Sequence, residues 1–491
     1  MLVSIGRVRR KLCFKGDGSF RQESSSRTPK IIENIFPSPS LFICNLLKLI
    51  CHNKQRKNGV KMQLFPELPW LIKILASLGV ILLTNRLLKS LSLAMASGAL
   101  LIALFAGHSP AEMIAIASRP LLTFKHLTFV LVIALIYWLS MQMSATGLMR
   151  ELVALIQSRL SARGSISALP AVIGLLPIPG GAFFSAPLVD TCDEGKNINP
   201  ELKSAINFWF RHPWEFWSPL FPGPLLVMEI AGLSTLEFLW VGLPLSVIAA
   251  AAGYLFLLRP IPTGQRPAKR EQSGFLRQLL FLLSPIIIVI GTYIVYQLIP
   301  AAIRGNNNYL PIGLGIIGAI LWLQHFRPLT TTQWQKILVQ KKYLVLAVQM
   351  SMIQVYGAFI GSKLPDGTPL VARFSSELTA FGIPVVLMIM LIPFVSALAT
   401  GLAVGYIGAS FPIVLSLLGA EPSYGSLLAA MVLAQGFGMT GLMLSPVHVC
   451  LLVSNEYFET GLTPTLTKLI NPSVLVLIGT VLFYLLTLII F

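Results

Sequence analysis

The sequence predicts an all-α polytopic membrane protein made of two inverted-topology repeats, each with about five transmembrane helices plus one re-entrant hairpin or broken helix. Three observations lead to this fold class. Hydrophobic residues form 55% of the chain and charged residues 11%, against roughly 25% charge in soluble proteins. Apolar segments of spanning length recur along the chain. Two similar proline- and glycine-containing interruptions occupy corresponding places in two similar halves.

The net charge of +18 does not indicate a nucleic-acid partner, because of where the charge lies. Residues 1–61 hold 13 Lys and Arg against 3 Asp and Glu, and the remaining 430 residues hold 24 against 16. In that remainder the basic residues cluster in short loops between apolar segments, as the positive-inside rule predicts. Outside residues 1–61 the only cysteines are Cys192 and Cys450, whose spacing predicts neither a disulfide nor a metal site.

Residues 1–61 form a basic N-terminal extension that does not conform to the rest of the chain. Its one apolar patch, 41–51, is too short to span a bilayer. The Arg- and Ser-rich composition is compatible with a transit peptide. An alternative is a mistaken start: residues 57–61 can be encoded by a purine-rich run that resembles a bacterial ribosome-binding site. We expect translation to begin at Met62.

The first repeat is predicted at 62–258, with apolar spans near 69–85, 90–107 and 127–146. A short amphipathic piece at 150–163 precedes a broken element at 166–189. Two further spans are predicted near 204–232 and 235–258.

A basic cytoplasmic linker, 259–275, separates the first repeat from the second, 276–491. The second repeat has spans near 276–299, 309–325 and 343–361, a polar piece at 363–376, a broken element at 378–418, and spans near 425–453 and 467–491. Since a hairpin returns to its own side, each half crosses the membrane an odd number of times, which inverts the second half. Loop charges place the first hairpin's entry in the cytoplasm and the second's outside.

The first broken element contains three helix-breaking prolines and two adjacent glycines: Pro177, Pro179, Pro187, Gly180 and Gly181. If a half-helix begins at these glycines and runs through Ala182, its N–H groups would favour an anion. Ser185 adds a hydroxyl that could donate to a carboxylate or coordinate Na⁺. The alternative is a proline-kinked span without a ligand.

The second broken element repeats the spacing of glycine, serine and proline found in the first. Gly405, Ser410 and Pro412 correspond to Gly180, Ser185 and Pro187. We expect a second ligand or ion tip here, including Gly408. The competing interpretation is close helix packing through small residues, which Gly401 and Gly405 fit well.

The span after the first hairpin carries polar side chains that are costly in a membrane, Asn207, Arg211 and Glu215. Arg211 could hold an anionic substrate, with Glu215 as its partner in the empty site. Alternatively, Trp209, Trp214 and Trp217 form an interfacial aromatic belt and Arg211 snorkels to the headgroups.

The equivalent span of the second half contains Ser445, Pro446 and His448. Pro446 would release the carbonyl of Gly441 or Leu442 for an ion or a water. His448 could relay protons, although a lone histidine on an apolar face is more often a hydrogen-bonded structural residue. Few carboxylates lie in mid-span, which favours Na⁺ over H⁺ as the coupling ion. No other metal and no cofactor is predicted.

These segments resemble an uncharacterised integral-membrane family, the domain-of-unknown-function family 401, grouped with the ion transporter superfamily. The matching segments are 176–187, 207–215, 400–412 and 445–458, and the resemblance covers the chain from Met62 to its end. The superfamily includes carriers of citrate, dicarboxylates, gluconate and lactate and Na⁺/H⁺ antiporters, often with paired hairpins. Because this chain lacks the Asn-containing hairpin signatures of dicarboxylate carriers, the resemblance implies no particular substrate.

The sequence therefore predicts an ion-coupled secondary transporter of a small organic anion, such as a carboxylate, in the cell membrane. It would work by alternating access around the two hairpin tips. A cation/proton antiporter is the first alternative, and a membrane scaffold without transport activity is the second. We expect no enzyme activity, since the sequence has no hydrolase, metalloprotease or nucleotide-binding motif. The expected partners are a small-molecule anion and the lipid bilayer, and the expected assembly to test is a homodimer.

Overall fold

The computed structural model describes residues 64–175, 181–193, 197–261, 274–299, 307, 309–419 and 421–491. Within these ranges the regular structure is helical, apart from one isolated antiparallel bridge between Lys363 and Pro369. The predicted N-terminal extension and most of the predicted linker lie outside the described residues.

The first half consists of helices joined by short loops and a 3₁₀ turn. In order they are α1 (Trp70–Leu88), α2 (Leu91–Ala106), α3 (Pro110–Leu121), α4 (Phe124–Ala145), α5 (Leu148–Gln157), α6 (Ala162–Gly174), α7 (Gly181–Thr191), α8 (Pro200–Trp209), the 3₁₀ turn Pro213–Phe216, α9 (Pro222–Ala231) and α10 (Thr235–Gly253), which continues as a π-helical turn, Tyr254–Leu258.

The second half is also built of helices. In order they are α11 (Phe275–Gln297), α12 (Tyr309–Phe326), α13 (Thr331–Leu338), α14 (Lys341–Ile360), α15 (Leu370–Ala380), α16 (Val385–Thr400), α17 (Ala403–Leu417), α18 (Tyr424–Met443), α19 (Val449–Tyr457) and α20 (Leu462–Ile490).

Eight helical segments in the described ranges are long and apolar enough to cross a membrane. They are α1, α4, α10 with its π turn, α11, α12, α13 with α14, α18 and α20. Helices α2, α9 and α17 are apolar but shorter, and α15 and α16 form a pair bent by 113°. The prediction of an all-α polytopic membrane protein is confirmed, and the inverted relation of the halves stays a prediction.

Local sequence signals fix several helix ends. Ser109 and Ser234 begin α3 and α10 with capping boxes, in which the serine hydroxyl accepts the N–H of Glu112 or Glu237 and the glutamate accepts the serine N–H. Gly401 ends α16 with φ of +62°, a left-handed conformation that favours glycine.

Two spans predicted as continuous are interrupted, and those two predictions are wrong. The predicted span 204–232 is divided into α8, the 3₁₀ turn and α9. Four prolines explain this: Pro213, Pro219, Pro222 and Pro224. The predicted span 425–453 is divided because α18 ends at Met443 and α19 begins only at Val449, with Pro446 between them. Apolar density suggested continuous helices, but the prolines favour breaks at these places, whereas Pro412 is accommodated inside its helix.

Both predicted broken elements are pairs of separate helices that pack against each other. In the first, α6 ends at Gly174 and α7 begins at Gly181. The predicted breakers Pro177 and Pro179, and the predicted site residue Gly180, lie outside the described residues. Pro187 lies inside α7.

In the second element, the break falls at Gly401 and Leu402, before the predicted tip. Gly405, Gly408, Ser410 and Pro412 all lie within continuous helix α17, so the prediction of a tip at those residues is wrong. The left-handed glycine at 401 reverses the chain, and the small residues that follow fit a tightly packed helix.

The first broken element packs against the end of the second half. Helix α7 contacts α6, α8 and α19, and α8 also contacts α19 and α20. Helix α17 packs instead on α14, α16 and α9. Side chains of α7, α8 and the interruption that follows α8 therefore meet residues that come more than 200 positions later in the sequence.

A charged pair outside the spanning helices also joins the halves. Arg327, just after α12, donates from Nη1 and Nη2 to the two carboxylate oxygens of Glu151 on α5, each at 2.6 Å. These charge-assisted hydrogen bonds lower the pKa of Glu151 below its ordinary value.

Candidate functional site

The N-terminus of α7 is buried inside the protein. Gly181 is its first residue, and Gly181, Ala182 and Ser185 are all buried. The first four N–H groups of a helix have no partner within the helix, and the helix dipole makes this end positive. A negative group is therefore the preferred neighbour of this helix end.

The neighbour in the structure is a positive group, the guanidinium of Arg211. A Cβ atom placed on Gly181 would lie 2.6 Å from Nη2 and 2.8 Å from Cζ of Arg211, and closer still to Nη1. No real side chain tolerates such contacts, so the guanidinium can occupy this place only because residue 181 is glycine. The two site residues predicted separately, Gly181 and Arg211, lie together.

Arg211 is only 7% exposed, and its Nε and Nη1 atoms have no hydrogen-bond partner among the described residues. A buried arginine is normally paired, because an isolated charge in a medium of low polarity is costly. Glu215, its predicted partner, instead approaches the Nε2 atom of His212 at 3.8 Å. The charge of Arg211 also acts on Glu215, so the Arg211–Glu215 pair of the empty site stays a prediction.

Two tryptophans of the alternative interpretation, an interfacial aromatic belt, donate hydrogen bonds to carbonyls inside the protein. Trp209 is fully buried and donates from Nε1 to the carbonyl of Ala249 at 2.9 Å. Trp214 donates to the carbonyl of Ala171 at 2.7 Å. Arg211, which lies between these two tryptophans in the sequence, is buried as well, so its side chain lies inside the protein.

Neighbouring contacts hold the Arg211 segment and α7 in place. Lys203 on α8 bonds Asp190 at 2.7 Å and Asp193 at 3.3 Å, which ties α8 to the C-terminal end of α7. At the other side, a Cβ on Gly174 would lie 2.9 Å from the Cα of Arg211. The glycine at the end of α6 therefore allows α6 to pack on the arginine backbone.

Asn207, one turn before Arg211, extends the polar surface toward α19. Its Nδ2 donates to the carbonyl of Ala182 at 3.3 Å and to Oγ of Ser454 at 2.8 Å. Its Oδ1 has no partner among the described residues. This places two predicted residues, Asn207 and Ala182, beside Gly181 and Arg211.

Two polar residues of this network, Ser454 and Asn455, were not predicted. Asn455 accepts hydrogen bonds from Ser204 at 2.6 Å and Thr465 at 2.8 Å, which links α8, α19 and α20. Their signal in the sequence is an adjacent polar pair at the end of an apolar stretch. It is a weak signal, because it resembles the start of any loop.

The hydroxyl of Ser185 faces its own helix. Ser185 Oγ donates toward the carbonyls of Gly181 and Ala182, at 3.2 and 3.4 Å. This back-bonding is the usual behaviour of a serine within a helix. Ser185 is thus near the site, but its hydrogen is directed to the backbone.

The second set of predicted residues lies in helix packing. A Cβ on Gly408 would lie 2.7 Å from the side chain of Ile353, and one on Gly405 would lie 3.3 Å from Thr400. Ser410 donates to the carbonyl of Tyr406 at 2.6 Å. The structure does not gather these residues around Gly181 and Arg211.

The interruption between α18 and α19 places Ser445 and His448 in different environments. Ser445 Oγ donates to the carbonyl of Leu398 on α16 at 2.7 Å. The N–H of Ser445 also donates to the carbonyl of Leu442, one of the two carbonyls expected to be released by Pro446. His448 Nδ1 lies 2.7 Å from the carbonyl of Gly401.

His448 also faces His212, which follows Arg211 in the sequence and was not predicted as a site residue. The two Nε2 atoms are 3.0 Å apart, although 236 positions separate the residues. With Sγ of Cys450, these nitrogens form a group whose donor atoms lie within 4.8 Å of one another. In the part of the chain that the structure describes, no other group of three or more His, Cys, Asp or Glu side chains brings its donor atoms this close together.

The fold and this interior define a multi-pass α-helical membrane protein with charged and polar groups at the interruptions of its helices. The chain belongs to a family of proteins of unknown function, DUF401, whose model matches residues 72–487. The predicted family resemblance is confirmed. A comparison with curated proteins finds no match.

Among solved structures, the chain is similar to the YdaH transporter of Alcanivorax borkumensis. The similarity covers 76% of this chain and 86% of that chain, with a TM-score of 0.50 and 14% sequence identity. At this identity the similarity concerns the fold.

Proposed function

We propose that this protein is an ion-coupled secondary transporter of a small organic anion, such as a carboxylate, in the cell membrane. The observation that carries the proposal is the buried guanidinium of Arg211 at the N-terminus of α7, with two donors that have no partner among the described residues. Family membership and the fold shared with a transporter are compatible with this proposal.

An anion would satisfy both elements of the site together. A carboxylate oxygen accepts strong hydrogen bonds from a guanidinium, and a second oxygen can accept from the first N–H groups of α7. The Nδ2 atom of Asn207 is already used by Ala182 and Ser454, so this residue would position α7 rather than bind the anion directly. The Arg211 donors that have no partner among the described residues would then be the source of binding energy.

Alternating access would require this anion site to open to one side at a time. The site lies where α6, α7, α8 and α19 meet, and α7 and α8 are already separate short helices rather than parts of long spans. Short helices that meet at breaks can shift as units, because the joining residues absorb the change in backbone angles.

A cation/proton antiporter is a second candidate, and the buried pair of His212 and His448 is the observation that favours it. It predicts ion-dependent proton flux without any organic solute. A membrane scaffold is favoured by the glycines that fit neighbouring side chains closely, such as Gly408 against Ile353. It predicts no solute flux at all.

The test is the thermal stability of the purified protein against acetate, lactate, succinate and citrate, each with Na⁺, K⁺ or neither. A ligand that binds only the folded state stabilises it by about 2.7 kcal/mol at a hundredfold excess over Kd. A shift with one carboxylate supports the anion transporter, and its Na⁺ dependence tests the coupling ion. A shift with Na⁺ alone favours the antiporter, and an absence of any shift contradicts a carboxylate site.

A further inference from the structure

Two buried histidines from opposite halves of the chain face each other beside the proposed anion site. His212 lies between α8 and the 3₁₀ turn, and His448 lies immediately before α19. His212 is fully buried and His448 is 7% exposed. Their Nε2 atoms are 3.0 Å apart, and their rings meet edge to face.

The hydrogen bonds of the opposite ring nitrogens fix the protonation of both imidazoles. Nδ1 of His212 lies 2.6 Å from the carbonyl of Phe208, and Nδ1 of His448 lies 2.7 Å from the carbonyl of Gly401. A carbonyl can only accept, so both Nδ1 atoms must carry hydrogen. A neutral imidazole has only one N–H, and therefore both Nε2 atoms would present bare lone pairs to each other.

Two lone pairs at 3.0 Å repel each other unless a cation lies between them. A proton or a metal ion held by both nitrogens would relieve this repulsion, and the two differ in what an experiment detects. The observed 3.0 Å is the separation of an ordinary N–H···N hydrogen bond. We propose that His212 and His448 share one bound proton, and that this proton is the coupling ion of the transporter.

The charged and titratable groups around the pair determine when the proton binds. Glu215 lies 3.8 Å from Nε2 of His212, and the positive Arg211 is the preceding residue. The thiol of Cys450 on α19 interacts with His212. Tyr137 on α4 and Tyr406 on α17 interact with Glu215.

The coupling part of this inference rests on the proposed function. With the shared proton, the pair carries one positive charge next to that of Arg211, and Glu215 can balance only one of them. An anion bound at Arg211 supplies a second negative charge, so each ligand favours the other. Linkage makes the effect reciprocal, and proton and anion would be carried in the same direction.

The proton also has a mechanical consequence, because it bridges the two halves. His212 follows Arg211 at the first interruption, whereas His448 is bonded to Gly401, the residue at which α16 turns into α17. A Cβ on Gly401 would lie 3.0 Å from the backbone nitrogen of His448, so these segments are in close contact. Loss of the proton would leave two lone pairs that repel each other. This repulsion would favour separation of the segment that follows α8 from the segment that precedes α19.

The proton site can be tested without any substrate. Histidine labelled with ¹⁵N is incorporated into the full chain in lipid nanodiscs, and the ring nitrogens are followed by NMR across pH. His212→Asn and His448→Gln assign the two signals, and exposed His325→Gln is the matched control. We expect both Nδ1 atoms to be protonated at all pH values and both Nε2 signals to change together with one midpoint. Independent titration of the two rings, or one equivalent of a transition metal found by elemental analysis, would overturn the proposal.

Coupling is tested separately by proton uptake in weakly buffered solution when succinate, citrate, lactate or acetate is added. We expect about one proton taken up per bound anion, and none in a His448→Gln variant that still binds the anion. Anion binding without proton uptake in the unmodified protein would refute the coupling. If no carboxylate binds, the proposed function fails, whereas the NMR result still decides whether the histidines share a proton.

Discussion

The same pattern of glycine, serine and proline occurs twice, at Gly180–Ser185–Pro187 and at Gly405–Ser410–Pro412, but the two copies have different surroundings. In both, the serine hydroxyl bonds the carbonyl four residues earlier, that of Gly181 or Tyr406. At the first copy, a helix begins and a buried arginine lies against its first residue. At the second, the helix is continuous and packs on Ile353. The repeated pattern thus reports helix packing, and the proposed anion site depends on Arg211, which lies beside only the first copy.

The largest expected effect comes from removing that neighbour with Arg211→Met. The variant should lose the stabilisation by carboxylate, about 2.7 kcal/mol at a hundredfold excess over the original Kd. Its ligand-free stability should not fall, because an apolar side chain of similar length replaces a buried guanidinium whose Nε and Nη1 have no partner among the described residues. Thermal unfolding with and without the ligand measures both quantities.

The matched control for this change is Arg86→Met, at the exposed end of α1. It should keep the full response to carboxylate. A large loss of ligand-free stability in Arg211→Met would instead indicate that the arginine is a structural residue.

The second-largest effect distinguishes the two copies of the pattern. It is measured by changing one glycine in each, with Gly181→Ala and Gly408→Ala. At 181 the new Cβ displaces the guanidinium, so carboxylate binding should be lost while folding is largely kept. At 408 it meets Ile353 at 2.7 Å, and overpacking should cost about 1–3 kcal/mol of stability with binding intact. Binding and unfolding measured on both variants give the comparison.

Gly79→Ala is the control for both, since a Cβ there meets nothing within 4 Å. It should be neutral or slightly stabilising, as alanine has the higher helix propensity. Loss of binding in both Gly181→Ala and Gly408→Ala would mean that the second copy also belongs to the site.

A smaller effect is expected from Ser185→Ala and Ser410→Ala. Each removes a hydroxyl that bonds its own helix, so each should change stability by no more than about 1 kcal/mol and leave binding unchanged. Isothermal titration of the carboxylate measures the affinity. A tenfold or greater loss in Ser185→Ala alone would assign the serine to the ligand after all.

The smallest effect concerns a charged pair outside both copies, Glu151 with Arg327. The pKa of Glu151 is lowered by hydrogen bonds from Arg327 in the folded protein, so its contribution is complete above the ordinary glutamate pKa and is lost as the pH falls through the lowered value. Glu151→Gln should cost about 0.5 kcal/mol at neutral pH, since the pair is partly exposed and screened. The difference from the unmodified protein should vanish in acid and shrink in high salt, and a difference that persists under both conditions would contradict the electrostatic explanation.

Much of the fold could be predicted from apolar segment length. The predicted spans 69–85 and 235–258 lie close to the observed helices Trp70–Leu88 and Thr235–Leu258. The interruption near Pro213 was missed, and Pro446 was predicted as a breaker but within one continuous span, because both surroundings are as apolar as a spanning helix. In both cases the helical hydrogen bond lost at proline matters more than the hydrophobicity of the segment. The break is tolerated because partners inside the protein can satisfy the freed backbone groups.

The site could be predicted only in parts. Gly181, Asn207 and Arg211 were identified singly, because glycine pairs and intramembrane charges are informative on their own. Their meeting, and the pairing of His212 with His448, depend on how α7 and α8 pack against α19. No local pattern encodes a contact across 236 positions, so His448 looked like an isolated histidine.

The most direct test of the central claim is uptake of labelled acetate, lactate, succinate and citrate into proteoliposomes, with an inward proton gradient or none. The unmodified protein and Gly79→Ala should accumulate at least one of these anions when the gradient is imposed. Gly181→Ala and Arg211→Met, reconstituted to the same amount, should show only leakage. Equal uptake by all four proteins, or by none, would contradict an anion transporter built around Arg211 and the N-terminus of α7.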